Sequence, residues 1–396
     1  MPGAVATQNS PMTTLQGVAI PAQSVNPDKF FELTRRKISP EKSLSYGGGG
    51  VSQVVELRKS DILSTITLRF VGTLVVTPGA GSVASTYQWP LGIAGVRFTA
   101  NGQSNLINTG PAGLKHLRAR DLMKKADLTD RSVVQTIGGT SRSNGTMALG
   151  SESWGVGSQT SAIAGGTYNV DLTFTIPVSE DEVGLIGAIF LQTASSDLTL
   201  SIDETPLSQL FTAAGGATVA LTGTWQVSTT KFAIPTVDGG IVVPNLSLFH
   251  SIIGSRVGSS IAQGENELRV IGQGAGKSLL RIYGHLINGA TPAPVAMTAA
   301  NFGPLAYRFG NNEQPDTFLD GSSMRADMER RYNSDFAALW GYWCHDFAHE
   351  NTFRDVLNMG TTAELRQIIN VTSAVTLVNP AVEYVAETVF LAGQAA

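Results

Sequence analysis

A single cysteine, Cys344, stands in 396 residues, which excludes an internal disulfide framework and any cysteine-based zinc cluster. Charge is scarce as well. Lys and Arg number 27 and Asp and Glu 31, together 15% of the chain against ~25% in an average globular protein, so a disordered polyelectrolyte is excluded. The formal net charge of −4 gives no general attraction to phosphate backbones. Sequence-specific nucleic-acid binding would need a local basic patch, and none is extensive. No apolar run approaches the ~20 residues that a membrane-spanning helix requires. The first residues are broken by Pro2, Pro11 and Pro21 and lack the charged and apolar regions of a secretory leader, so synthesis in a cytoplasm is expected.

What is plentiful is glycine, 43 residues against an average share of ~7%, beside a hydrophobic content of 42%. A chain of this length has material for about two or three ordinary domains and buries substantial cores without covalent staples. Residues 1–50 differ from the rest and are expected to form an N-terminal arm and a Gly-rich joint. Asn26-Pro27-Asp28 signals the start of a short helix, with Phe30, Phe31 and Leu33 on an apolar face and Arg35, Arg36 and Lys37 placed near its C-terminal dipole. The glycines at 47–50 predict a flexible link to the first core strand.

From about residue 51 onward, runs rich in Val, Thr and Leu alternate with clusters of Gly, Pro, Asn and Ser, the pattern of antiparallel β structure. Strands are expected at 66–76, 168–177, 197–202, 219–232, 277–287, 364–371 and 382–391. Helices are few, the best being 112–125 and 324–332. An all-β chain of this kind favours sandwiches or barrels.

The two halves repeat each other. Glu56-Leu57-Arg58 matches Glu267-Leu268-Arg269, and Leu68, Arg69, Gly72 and Leu74 match Leu280, Arg281, Gly284 and Leu286 at an offset of 280 − 68 = 212. Arg97-Phe98 then aligns with Arg308-Phe309, followed by Asn101 and Gln103 with Asn312 and Gln314. Further on, Leu198 aligns with Leu365, and the smaller offset places an insertion in the Gly-, Ser- and Thr-rich stretch 137–166 of the first half. Order, spacing and flanking elements agree, which argues against chance. Two copies with about eight strands each predict two tandem jelly-roll β-sandwiches, a double jelly roll with an N-terminal arm and short helical insertions. The expected division is 1–50, 51–237 and 238–396.

This tandem arrangement resembles the double jelly-roll major capsid proteins of tailless icosahedral, often membrane-containing, phages and viruses. The resemblance is architectural, covers about residues 50–392 and rests on no family sequence motif. It implies a structural virion protein, a homotrimer whose six sandwich flanks form a pseudo-hexameric capsomer tiling a shell. The implied partners are further copies of itself, penton or minor capsid proteins and an internal lipid membrane. Low charge suits a subunit whose side faces are buried against copies of itself. The arm residues Phe30, Phe31, Leu33, Arg35, Arg36 and Lys37 are expected at a subunit contact or on the inner surface. The alternative is a glycan- or receptor-binding β-sandwich protein of a phage tail or spike, recognising its ligand through loops around 138–166 and Trp154.

Chemical motifs are weak, and no catalytic, cofactor or metal site is expected. Gly272-Gln273-Gly274-Ala275-Gly276-Lys277-Ser278 approaches a phosphate loop, but the first required glycine is Ile271 and a strand follows where a helix is needed. His345 and His349 have two-histidine zinc spacing without a third ligand, so they are expected as surface residues at a strand end. Glu180, Asp181, Glu182, Asp203 and Glu204 are expected to be solvated turn acids rather than a glycosidase pair. Arg69, Arg281, Arg97 and Arg308 are expected to lay their stems on a sheet and pair with nearby acids or loop carbonyls. The five tryptophans are expected in cores or subunit contacts.

Overall fold

Alternation along 62–77 explains the longest strand: Ile66, Leu68, Phe70, Leu74 and Val76 turn inward and are buried, while Arg69, Val71 and Val75 face out. In this computed structural model, the described residues are 12–15, 18–21, 26–86, 93–100, 103–109, 137–138, 162–163, 165–191, 197–237, 240–258, 260–271, 276–290, 292–309, 317–332, 341–348, 357–358 and 364–391. Among them the first half supplies β1 (Arg36–Ser45), β2 (Ser52–Glu56), β3 (Ile62–Thr77), β4 (Ile93–Ala100), β5 (Gln103–Asn108), β6 (Gly166–Pro177), β7 (Leu198–Glu204) and β8 (Thr218–Phe232). The second half supplies β9 (Leu248–Val257), β10 (Gly264–Ile271), β11 (Lys277–Asn288), β12 (Phe302–Phe309), β13 (Thr317–Phe318), β14 (Tyr342–Asp346), β15 (Leu365–Val371) and β16 (Ala381–Leu391). Short two- to four-residue strands and the helices α1 (Pro27–Leu33), α2 (Leu207–Leu210) and α3 (Gly321–Tyr332) complete the described elements.

The strand order makes the repeat explicit. In the first roll one sheet runs β1-β8-β3-β6 and the other β2-β7-β4-β5. In the second roll the orders are β9-β16-β11-β14 and β10-β15-β12-β13, the same sequence with every number raised by eight. All these pairings are antiparallel, and two such facing sheets make a jelly roll. The fold is therefore two tandem jelly-roll β-sandwiches. The aligned Leu198 and Leu365 both open seven-residue strands at the same place in their sheets, β7 and β15. The aligned Arg69 and Arg281 lie on β3 and β11.

The rolls are joined through a sheet as well as through the chain. β5 runs parallel to β9, with Ile107 opposite Ile252 and Asn108 opposite Ile253, so the second sheet of the first roll continues into the first sheet of the second. Inside the first roll Phe70 packs on Trp225 with ring centroids 4.8 Å apart. Inside the second, Trp343 lies over Gly284, where an added Cβ would sit 2.6 Å from the indole, so the aligned glycine is fixed by a close approach. Among the described residues no helix is long and apolar enough to cross a membrane.

Two local expectations are corrected. A core strand precedes the glycine run: β1 pairs with β8 along Arg36–Ser45. Its charges and Pro40 disguise it, yet both are compatible with an edge strand, and Pro40 sits where the register shifts. Helix α1 is capped by Asn26, whose Oδ1 accepts from the Lys29 N–H at 3.1 Å, but it ends at Leu33. Arg36 and Lys37 therefore belong to β1 and do not compensate a helix C-terminus. The expected helix at 112–125 and the insertion at 139–161 lie outside the described residues.

Candidate functional site

The arm residues divide between the fold and the surface. Phe30 is fully buried in a cluster with Ile62, Leu185, Phe190, Phe232 and Leu246, whereas Phe31 and Leu33 remain 41% and 46% exposed. Arg36 reaches Glu182 at 3.0 Å and Lys37 reaches Asp61 at 3.5 Å, while Arg35 is exposed. The segment is thus anchored through Phe30, the pairing of Arg36 and Lys37 with β8, hydrogen bonds from Asn26 to Val243 and from Thr34 to Ala233, and the two surface ion pairs, leaving Phe31 and Leu33 outward.

The glycine run at 47–50 wraps a carboxylate. Gly48, Gly49 and Gly50 have φ of 89°, 91° and 71°, the region that favours glycine. The resulting turn lets the Gly47 N–H donate to Glu204 Oε2 at 2.9 Å, and Gln53 Nε2 donates to Oε1 at 2.7 Å. Burial pushes the Glu204 carboxyl above its ordinary range, opposed by hydrogen bonds from Gly47, Gln53 and Gly49. Glu204 is buried, contrary to the expectation of a solvated turn acid.

A larger departure lies between the rolls. Glu180, on the loop after β6, is also buried and accepts from Arg281 Nη1 at 2.6 Å across the junction. Arg281 further meets Asp346 at 2.9 Å and Glu387 at 3.2 Å, and Nη2 donates to the Ala348 carbonyl at 3.2 Å. His250 lies 2.9 Å from Glu387 through Nε2 and 3.2 Å from the Val178 carbonyl through Nδ1. Gly187 comes so close to His250 that an added Cβ would sit 2.3 Å from its Cβ. Burial works against the charge on Arg281, but Glu387, Tyr283, Asp346 and Glu180 outweigh it and hold the guanidinium well above its ordinary value. Nearby His285 Nε2 lies 2.8 Å from Glu383. These groups occupy the outer face of β9-β16-β11-β14, against which the first roll packs. Tyr283, Tyr342, Cys344 and Val385 of that face share one apolar cluster with Phe70, Phe98 and Leu200 of the first roll.

The remaining motifs find plain structural places. His345 is a core residue, correcting its expected surface position: it is buried, and its ring stacks edge-on to Tyr307 at 3.9 Å. Burial, with the Arg331 charge beside it, lowers its pKa well below the ordinary histidine value. His349, Trp89, Trp154, Trp340 and residues 272–275 lie outside the described residues, and the segment from Lys277 is strand β11. Trp225 and Trp343 are core residues. Arg97 pairs with Asp203 at 2.9 Å, and Arg308 pairs with Glu265 and Glu267, as expected of arginines lying on a sheet. Among the described residues no group of three or more His, Cys, Asp or Glu is arranged to hold a metal ion.

No family model and no curated protein matches the sequence. Its shape is similar to several solved structures. The crystal structure of the STIV MCP matches with a TM-score of 0.63 at 10% identity, covering 90% of this chain and 97% of that one. The atomic structure of Sulfolobus Turreted Icosahedral Virus matches at 0.62, 11% identity and 90% and 91% coverage. The major capsid protein of bacteriophage PM2 matches at 0.50, 12% identity and 90% and 98% coverage. At such identities the likeness shows the fold, the same double jelly roll along nearly the whole of each chain.

Proposed function

We propose that the chain is a structural virion protein without catalytic chemistry, a major capsid subunit that forms homotrimers. The single observation that carries this reading is the duplication of one eight-strand order in two rolls fused through a shared sheet. Three such chains present six similar walls around one axis, giving a pseudo-hexameric capsomer suited to tiling an icosahedral shell. The likeness to capsid proteins over nine-tenths of the chain supports the same reading.

In this reading 1–50 is the arm and joint, with strand β1 of that stretch built into the first wall, 51–237 is the rest of the first wall and 238–396 the second. Its exposed Phe31 and Leu33 contact a neighbouring subunit. Further copies and penton or minor capsid proteins are its partners, with the virion as its location after synthesis in a host cytoplasm. The buried ionic joint fixes the angle between the walls, which a closed ring requires. Electron microscopy of the purified protein tests this: three-fold particles of hexagonal outline, or shells, are expected. A uniform field of single 41.7 kDa chains at high concentration overturns it.

A further inference from the structure

The two rolls share a strand order but differ inside. The interior of the first is one continuous apolar cluster, which takes in Val55, Phe70, Phe98, Leu200 and Trp225. The buried apolar residues of the second fall into two clusters, and three of its strands divide at one level. On β15 Leu365 belongs to one cluster and Ile369 to the other, on β12 Tyr307 and Leu305 divide likewise, and on β11 Ile282 and Leu286. Half-buried Val270, on the edge strand β10, packs against both.

Polar groups lie at the level between them. Alternation turns Gln367 inward between Leu365 and Ile369, where it is fully buried. It stands opposite Tyr307 on β12 and Leu268 on β10. From the facing sheet His345 brings its ring centroid to 3.9 Å from that of Tyr307, so the amide and the imidazole flank one phenol ring. Trp343, two residues earlier on β14, spreads its indole over Gly284, with Nε1 2.7 Å from where a Cβ would sit. Neither amide atom of Gln367 has a hydrogen-bond partner among the described residues, and the same is true of His345 Nε2 and Trp343 Nε1. The first roll has no such demand at this level: Leu200, which aligns with Gln367, stands opposite Phe98 and Val55.

An amide buried without hydrogen bonds at either end is costly, and such groups in folded proteins almost always find a partner. The partner here must fit between two packed sheets, accept from an N–H and donate to a carbonyl oxygen. It must also be neutral. Burial and the Arg331 charge keep His345 uncharged, and Arg331 itself is engaged by Asp327 and the Asp346 carbonyl. Water meets every requirement.

We propose that the core of the second roll is a hydration site, in which at least one water is bound between the sheets by the Gln367 amide and His345 Nε2, with the Trp343 indole N–H as a further donor. Hydrogen bonds through this water bridge a level that the first roll fills with apolar side chains. The site belongs to a single folded chain, so its test is independent of assembly.

A crystal structure of the full chain, at a resolution that shows ordered water, reads the site directly. A solvent peak is expected within about 3.2 Å of a Gln367 amide atom and of His345 Nε2. An amide bonded instead to a protein group, or side chains closed over it with no peak, overturns the proposal. Oxygen-17 relaxation dispersion gives a second reading in solution by counting waters that stay inside the protein for longer than it tumbles. Gln367→Leu, which installs the first roll's residue, is expected to lose at least one such water, and so is His345→Phe. Gln226→Leu, at an exposed position of β8, is expected to lose none. A count unchanged in both core variants, or lowered equally by Gln226→Leu, overturns the site.

Discussion

Replacing Arg281 by methionine removes the guanidinium that meets Glu180, Asp346 and Glu387 at 2.6, 2.9 and 3.2 Å. Methionine restores much of the apolar volume, so the cost comes chiefly from the guanidinium that these buried carboxylates lose. Breaking a buried ion pair from one side typically costs about 3–5 kcal/mol. The aligned Arg69→Met, at an exposed position of β3, is expected to change stability by no more than about 0.5 kcal/mol. Urea denaturation at pH 7 of both variants gives the comparison directly. A further result is expected: Glu387→Gln added to Arg281→Met recovers part of the loss, because one buried negative charge is removed with the guanidinium. Equal effects of the two arginine variants would refute the account of the joint.

Acid should act on His345. Its folded pKa is depressed by burial and by Arg331, so the unfolded chain binds the proton first, near pH 6.5. The stability from neutral His345 is complete above that pH and is lost as pH falls, by up to about 1.4 kcal/mol per unit. Melts between pH 8 and 5 should therefore show a shallower pH slope for His345→Gln than for the wild type. Gly49→Ala should lower stability by roughly 1–3 kcal/mol in a denaturant titration, because φ there is 91° and the new Cβ would sit 2.7 Å from Pro206 Cα and the Thr205 carbonyl. Phe30→Ala should cost about 3–5 kcal/mol in the same assay, whereas Phe31→Ala, at a 41% exposed site, should leave stability within about 1 kcal/mol and weaken only association between chains.

Much of the fold was legible because the sheet interiors follow simple alternation. Leu68, Gly72 and Leu74 against Leu280, Gly284 and Leu286 carried the repeat, and all six lie on matching strands β3 and β11. Strand β1 was hidden because an edge strand tolerates proline and charge, so it lacks the hydrophobic pattern of a central one. The joint was hidden for a related reason. Along β11 and β16, Arg281, His285, Glu383 and Glu387 alternate with apolar residues, the mark of a sheet with one wet face, yet both faces are dry. A signal was present: those residues are ionisable and complementary across the register, whereas the aligned positions on β3 and β8 are mostly Val, Thr and Gln. Glu180 and Glu204 were misjudged because burial of a turn acid depends on partners remote in sequence, Arg281 and Gly47.

Sedimentation equilibrium of the purified protein over a wide concentration range bears most directly on the claim that two similar walls in one chain build a larger surface. Association into a species of three 41.7 kDa chains is predicted. A single chain at every concentration, or a symmetric pair as the final state, would contradict it.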